Sequence, residues 1–278
     1  MPAARRWTDW PARTVKELNG VSGIAGLGGI AIGAGSLTFL TGAVALTLTG
    51  VGAVVVVGAV ATAVVKALPD PLTPASDLVG QVVELDRLLN VLPPIPKLSI
   101  IGPGLAGKTT LRNRLAFEFS PLERTQQMSA YIVLLPATPN SPAKYLAILD
   151  GRGDRFSQQF ELAEASDCLC VVIDHNESDS DTSIDAARME THRDFLDQIK
   201  HHLDQSHAGS KQWVHFLINK RDLWISAPTQ ERTNLINFCK DEADSWRKEK
   251  RAQIVDFREH SNNSQEDIAR FMALLRSR

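Results

Sequence analysis

The stretch KLSIIGPGLAGKTT, residues 97–110, decides the fold that we expect for this chain. Its apolar part, residues 98–101, predicts a buried strand, and the residues from Lys108 onward predict a helix. The segment between them matches the phosphate-binding pattern G-x-x-x-x-G-K-[ST]. Because a strand, a glycine loop and a helix in this order are the setting that the pattern requires, the sequence predicts a phosphate-binding loop here. The alternative is a glycine-rich turn before an ordinary helix.

The residue types of this loop suit a polyphosphate. Glycine leaves room where successive backbone N–H groups turn towards the phosphates, and the helix N-terminus adds positive partial charge. Lys108 is placed to reach the β- and γ-phosphates, and the Thr109 hydroxyl is placed to bind Mg²⁺. The residues that we expect to hold the nucleotide phosphates are Gly102, Gly104, Leu105, Ala106, Gly107, Lys108, Thr109 and Thr110.

Apolar runs alternate with helical patterns from residue 97 to residue 278. This alternation predicts an α/β domain with a mostly parallel central sheet that carries helices on both faces. The predicted strands are residues 98–101, 129–135, 145–149, 168–173, 213–218 and 253–257. The predicted helices are residues 108–119, 184–203, 231–251 and 264–275.

A second motif, N-K-x-D at residues 219–222, follows an apolar run. With it the chain resembles the P-loop GTPases of the Ras/Arf type over residues 97–278, which implies a Ras-like domain that binds GTP or GDP with Mg²⁺ and hydrolyses GTP. By this resemblance Asp222 reads guanine, because its carboxylate accepts hydrogen bonds from N–H groups that adenine cannot offer. Asn219 steadies the loop, and the side chain of Lys220 covers the base.

A D-x-x-G sequence at residues 150–153 ends another predicted strand. In similar GTPases its Asp, here Asp150, supports Mg²⁺ through water, and its Gly, here Gly153, contacts the γ-phosphate. The resemblance also implies a switch threonine, and Thr125 is the best placed because it precedes a strand. The implied metal-binding set is therefore Thr109, Thr125 and Asp150.

Two departures from the family pattern bear on function. The loop at residues 259–263, EHSNN, matches the family's E-x-S-A-K pattern only in its first and third positions. Ser261 and Asn262 would face the base, and the terminal Lys is absent. After D-x-x-G this chain has Asp154 where many relatives have a water-orienting Gln, so intrinsic hydrolysis is expected to be slow. The implied catalytic set is Lys108, Thr125, Gly153 and Asp154.

An uncharged stretch covers residues 18–65. A membrane helix needs about 20 apolar residues, so this stretch predicts a two-helix transmembrane hairpin of residues 21–40 and 43–65. Basic flanks place both termini, and with them the nucleotide domain, in the cytoplasm. Small residues at spacings such as Gly29 and Gly33 predict helix packing within the hairpin or between copies in a homo-oligomer. The alternative is a soluble hairpin buried against another protein.

The predicted organisation has four parts: a polar interfacial segment at residues 1–20, the membrane hairpin at 21–66, a linker with one helix at 67–96, and the GTP-binding domain at 97–278. A membrane segment before such a domain is similar in arrangement to the β subunit of the signal recognition particle receptor, although no motif is shared. The net charge of −2 gives no electrostatic footprint for nucleic acid. The acidic cluster at residues 174–181 is interpreted as a solvated loop.

These observations predict a membrane-anchored guanine-nucleotide switch that acts on an unidentified protein effector. In a second hypothesis, the glycine-rich hairpin itself oligomerises in a bilayer or permeabilises it, with nucleotide as the trigger. In a third, the domain binds GTP without turnover and holds a partner in place.

A dye-leakage assay separates the first two hypotheses. Because we interpret the hairpin as an anchor, we expect the purified full chain to bind lipid vesicles and leave them sealed, with or without a non-hydrolysable GTP analogue. Dye release that requires the analogue would favour the effector hypothesis. Protein that stays off the vesicles in a flotation gradient would contradict the membrane prediction itself.

Overall fold

The computed structural model describes residues 30–33, 36–39, 72–116, 128–139, 141–151, 156–206 and 209–278. The chain divides into two compact units, Met1–Leu72 and Thr73–Arg278. The strands in chain order are β1 (Ile30–Gly33), β2 (Ser36–Phe39), β3 (Thr73–Pro74), β4 (Val82–Val83), β5 (Val91–Leu92), β6 (Lys97–Ile101), β7 (Ser129–Leu135), β8 (Lys144–Asp150), β9 (Cys168–Ile173), β10 (Lys211–Ile218) and β11 (Ala252–Glu259). The α-helices are α1 (Lys108–Ala116), α2 (Phe156–Ala165), α3 (Ala186–Gln205), α4 (Arg221–Trp224), α5 (Thr229–Lys248) and α6 (Gln265–Ser277).

In the first unit, β1 and β2 pair antiparallel, with Ile30 opposite Phe39 and Gly33 opposite Ser36. This corrects the helix predicted for residues 21–40, at least in these eight positions. Frequent glycine disfavours a helix, whereas isoleucine, threonine and phenylalanine favour a strand. The rest of the predicted hairpin lies outside the described residues. No helix in the part of the chain that the structure describes is long and apolar enough to cross a membrane.

The second unit is a mixed α/β domain around a seven-stranded sheet of order β11-β10-β9-β6-β8-β7-β4. The five strands from β11 to β8 run parallel to one another, β7 pairs antiparallel with β8, and β4 pairs antiparallel with β7. The predicted mostly parallel α/β sheet is therefore confirmed. Each of the six predicted strands is present with ends within two residues of the prediction.

The interior strand β9 shows why this sheet forms. All six of its residues are buried, as expected for a parallel strand covered on both faces. Leu169, Val171 and Ile173 pack into the cluster that contains Phe195 of α3 and Trp246 of α5. The intervening residues, Cys168, Cys170 and Val172, pack on the other face with Leu111 of α1 and Phe271 of α6. Successive side chains of a strand point to opposite faces, so one apolar run serves both cores.

Residues 73–96, predicted to be a linker with one helix, instead complete the edge of the domain. They form two 3-10 helices, Ala75–Leu78 and Leu85–Asn90, on either side of β4. Gly80, at φ +78°, turns the chain between the first of them and β4, and its N–H donates to the carbonyl of Ile132 over 2.9 Å. Val83 and Ile95 are buried against Ile132 and Ala147. The domain therefore begins near residue 73 rather than residue 97.

Helix α2 was not predicted from the sequence. Its apolar positions at Phe156, Phe160 and Ala163 follow helical spacing and pack against the α3 and α5 side of the sheet. Polar residues between them, including the buried Gln159, dilute this pattern. The 156–160–163 spacing was the available signal.

His215 of β10 is a buried imidazole among aromatic rings. Its ring lies 5.2 Å from that of Trp213 and 5.5 Å from that of Phe271, between centroids. Among the described residues neither ring nitrogen finds a partner. Desolvation lowers the pKa of His215 from 6.5 to about 3, outweighing the attraction of Asp256.

This imidazole predicts loss of stability in mild acid. In the unfolded chain this imidazole binds a proton near pH 6.5, whereas in the folded chain it binds one only near pH 3. Stability from this group is therefore complete above pH 6.5 and declines as the pH falls towards 3. Between pH 7 and pH 5 we expect the free energy of unfolding to fall by about 2 kcal/mol more in the wild type than in His215→Leu. Urea unfolding at the two pH values measures this, and equal declines would contradict the prediction.

Candidate functional site

The predicted site residues that the structure describes meet at one edge of the sheet. Parallel strands β6, β8, β10 and β11 all end at this edge, so the loops that follow them come together there. In open α/β sheets, the crevice beyond the carboxyl ends of the strands is where ligands bind. Thr125, Gly153 and Asp154 lie outside the described residues, and their predicted roles stay predictions.

Glycine is required at two positions of the phosphate loop, residues 102–109. Gly102 has φ +148°, and a Cβ there would come 2.4 Å from the carbonyl oxygen of Val172. Gly107 has φ +94°, and its Cβ would come 2.3 Å from Nδ2 of Asn219. Both conformations are disfavoured for residues with side chains, and neither position has space for one. The loop is thus held close to β9 and to the N-K-x-D segment.

Side chains from separate parts of the fold donate hydrogen bonds to the backbone carbonyls of the phosphate loop. The donor–acceptor pairs are Lys108 Nζ to Pro103 O at 2.7 Å, Arg188 Nη2 to Gly104 O at 2.7 Å, Asn219 Nδ2 to Ala106 O at 2.9 Å, and Asn262 Nδ2 to Gly107 O at 2.9 Å. These donors come from α1, α3 and the loops after β10 and β11. Four carbonyl groups of the loop are therefore occupied by the protein.

The backbone N–H groups of the same loop differ from its carbonyl groups in their hydrogen bonding. Within the described part of the chain, no protein acceptor pairs with the backbone N–H groups of Gly104, Leu105, Ala106 and Gly107. These amides precede the N-terminus of α1, where the helix dipole favours an anion. Successive backbone N–H groups in this arrangement, beside a helix N-terminus, are of the kind that favours an anion.

Asp222, the residue predicted to read the base, is held by the loop after β11. Its Oδ1 accepts a hydrogen bond from the hydroxyl of Ser261 over 2.6 Å, and its Oδ2 accepts one from Nδ2 of Asn263 over 3.1 Å. Partial burial acts to raise the pKa of Asp222, but these two hydrogen bonds outweigh it and lower the pKa. The carboxylate is therefore ionised and acceptor-only at neutral pH. It lines a cavity of about 370 Å³ whose other walls include Ile225 and Asp267.

The N-K-x-D loop is bonded to the loop after β11. The backbone N–H of Asn262 donates to Oδ1 of Asn219 over 3.3 Å. Oδ1 of Asn262 lies 3.0 Å from Nε2 of His260. Trp224 donates its indole N–H to the carbonyl of Asn219 over 2.9 Å. The side chain of Asn219 is therefore bonded both to the loop after β11 and to the loop before α1.

Lys220 lies in the left-handed region at φ +58° and is mostly buried. Its ammonium donates to the carbonyls of Asn176 and Ser178, over 2.9 and 3.2 Å. It also forms an ion pair with Asp174 at 3.0 Å. This ammonium ties the N-K-x-D loop to the segment after β9.

A buried ionic cluster around Asp174 was missed by the sequence analysis. Asp174 is fully buried and lies 2.7 Å from Nε of Arg188 and 2.8 Å from Nε2 of His192, in addition to the Lys220 pair. Burial acts to raise its pKa, but His192, Arg188 and Lys220 lower it to about 2. The solvated-loop interpretation is wrong for Asp174 and its neighbour His175, which are both fully buried. An Asp directly after an all-apolar strand was the available signal.

The predicted metal ligands Thr109 and Asp150 are oxygen donors, the type that Mg²⁺ prefers. Thr109 is half-buried at the start of α1, and Asp150 is buried at the end of β8. Oδ1 of Asp150 accepts from the N–H of Gly151, and Oδ2 accepts from Nη1 of Arg112, both over 2.9 Å. No three His, Cys, Asp or Glu residues among those described form a metal cluster. The donor set thus suits a metal that takes its other ligands from phosphates and water.

Comparison with known proteins assigns no family. No family model matches the chain, and no curated protein matches it. Two crystal structures of SsGBP mutation variants are similar, with 19% and 20% sequence identity and a TM-score of 0.43 each. The matches cover 65% and 66% of this chain, and 54% and 57% of the other chains. This chain thus spans little more than half the length of those proteins, and likeness of this extent supports no functional argument.

The close approach at Gly102 predicts that Gly102→Ala destabilises the domain. The new methyl group would meet the carbonyl of Val172 in a strained backbone conformation, so we expect a loss of about 2 kcal/mol or more. Gly209→Ala is the matched control, because no described residue lies within 4 Å of a Cβ at that site. Its effect should stay within about 0.5 kcal/mol. Equal unfolding midpoints in urea for the two variants would contradict the geometry.

Proposed function

We propose that this chain is a guanine-nucleotide-binding switch that hydrolyses GTP at the carboxyl edge of its sheet. The observation that carries the proposal is the pair of bonds from Asn219 to Ala106 and from Asn262 to Gly107. These bonds join the phosphate loop to both loops that were assigned to the base. Two motifs more than a hundred residues apart in sequence therefore belong to one site.

The finer assignment to a Ras-like domain is part of the same proposal. It is supported by the order of the motifs along the chain and by their meeting at one edge of a mostly parallel sheet. Each motif begins at or directly after the end of a strand, β6, β8 or β10. A chance match to a four-residue pattern has no reason to occur at such a place.

Different residues would bind the phosphates, the base and the metal. The amides of the phosphate loop and Lys108 would hold the phosphates, and Asp222 would accept from guanine N1–H and N2–H₂. Ser261 already holds that carboxylate in place through its hydroxyl. When bound, Mg²⁺ supplies charge neutralisation of the β- and γ-phosphate oxygens, and Thr109 and Asp150 are the residues that would hold it.

Hydrolysis is attack of water on the γ-phosphate, and the proposed rate is slow. This part rests on the sequence, where Asp154 replaces a water-orienting Gln. Attachment to a bilayer through residues 21–66, a cytoplasmic position for the domain and an unidentified protein effector are likewise proposed on the sequence alone. The alternative, a nucleotide-triggered membrane effector, is separated by the leakage assay described above.

The base assignment predicts a change of nucleotide preference in Asp222→Asn. We expect the wild type to bind GTP at least about tenfold more tightly than ATP, because adenine leaves the carboxylate without donors. An amide at this position still accepts from N1–H but now donates, which suits the 2-carbonyl of xanthine. The variant should therefore lose GTP affinity and gain affinity for xanthosine triphosphate.

Isothermal titration with the three triphosphates measures these affinities. Mass spectrometry of nucleotide released from the purified protein identifies what it carries. Asp241→Asn, an exposed carboxylate on α5, is the matched control and should behave as the wild type. Equal affinities for ATP and GTP in the wild type would reject the proposed function.

A further inference from the structure

We propose that Arg112 is a built-in counter-cation of Asp150, and that nucleotide-bound Mg²⁺ competes with its guanidinium for that carboxylate. The inference rests on the proposed function, since it concerns the metal side of the same site. In this proposal, the free Mg²⁺ concentration that nucleotide binding requires depends on Arg112.

The ion pair is short and well shielded from water. Nη1 of Arg112 lies 2.9 Å from Oδ2 of Asp150, with side-chain exposures of 16% and 1%. Nε and Nη2 of Arg112 donate to Oδ1 of Asn113, over 3.0 and 2.7 Å. The guanidinium is thus bonded at two edges, and these bonds fix its plane and its position.

Helix α1 places this charge beside the phosphate site. Arg112 follows Lys108 by four residues, and residues four apart lie on the same face of a helix. The face that carries the phosphate-binding lysine therefore also carries the guanidinium. Arg114 of the same helix is exposed instead, and Asn113 is buried.

Charge explains why the pair and the metal compete. A buried carboxylate such as Asp150 is costly without a cationic partner, and Arg112 supplies one in the protein by itself. A metal supported by the same carboxylate must either share it with a nearby positive charge, which is repulsive, or displace the guanidinium. By thermodynamic reciprocity, the Arg112–Asp150 pair weakens metal binding by the same free energy by which a bound metal weakens the pair.

The test is release of a fluorescent GDP analogue from the full chain at a series of buffered free Mg²⁺ concentrations. We expect Arg112→Gln to reach half-maximal slowing of release at about tenfold less free Mg²⁺ than the wild type, as for a typical coupling between two sites. Arg114→Gln is the matched control, because it removes the same charge from the same helix at an exposed position. Its Mg²⁺ requirement should equal that of the wild type.

A purely structural role for Arg112 would lower the unfolding temperature of Arg112→Gln and leave its Mg²⁺ requirement unchanged, and this result would overturn the inference. An increased requirement would overturn it as well. If Arg112→Gln does not fold, Arg112→Lys is judged by the same criterion, with a smaller decrease expected because an ammonium lacks the planar fork. Wild-type protein that binds no guanine nucleotide at any Mg²⁺ concentration would instead reject the proposed function.

Discussion

The hydrogen bonds that occupy the carbonyl groups of the phosphate loop are the constraint on which the site depends. Each backbone unit presents one donor and one acceptor, and Lys108, Arg188, Asn219 and Asn262 take up acceptors along the loop. The amides are then the groups left to meet an anion. Because these donors come from different elements, the loop keeps this shape only when the whole carboxyl edge of the sheet is assembled.

The buried charges around Asp174 extend this constraint to the base side. Arg188 bonds both Asp174 and the carbonyl of Gly104, while Lys220 pairs with the same carboxylate from the N-K-x-D loop. Removing one charged member would leave the others buried without a partner, which typically lowers the free energy of unfolding by about 3–5 kcal/mol. A single ionic cluster therefore links the phosphate loop to the loop proposed to read guanine, so the two halves of the site hold their relative positions.

The parts of the fold that could be predicted from sequence are those set by local pattern. Continuous apolar runs predicted the buried strands, and helical spacing predicted helices where α1, α3, α5 and α6 stand. The predictions that differ from the structure concern segments where local preference is weak. Residues 30–33 and 36–39 pair as strands, as their isoleucine, threonine and phenylalanine favour. Residues 73–96 complete the sheet edge because pairing of β4 with β7 and burial of Val83 and Ile95 outweigh weak local preference.

The sequence by itself determined the glycine loop between β6 and α1, the N-K-x-D segment after β10 and a mostly parallel sheet, because each follows from residue types at short, fixed spacing. Only the tertiary structure decided the partners of the charged groups. Arg112 meets Asp150 across 38 positions, and Arg188 meets Gly104 across 84. Such pairs arise from the order of the strands in the sheet and from the cost of burying a charge without a partner. No local pattern in the chain encodes either of these.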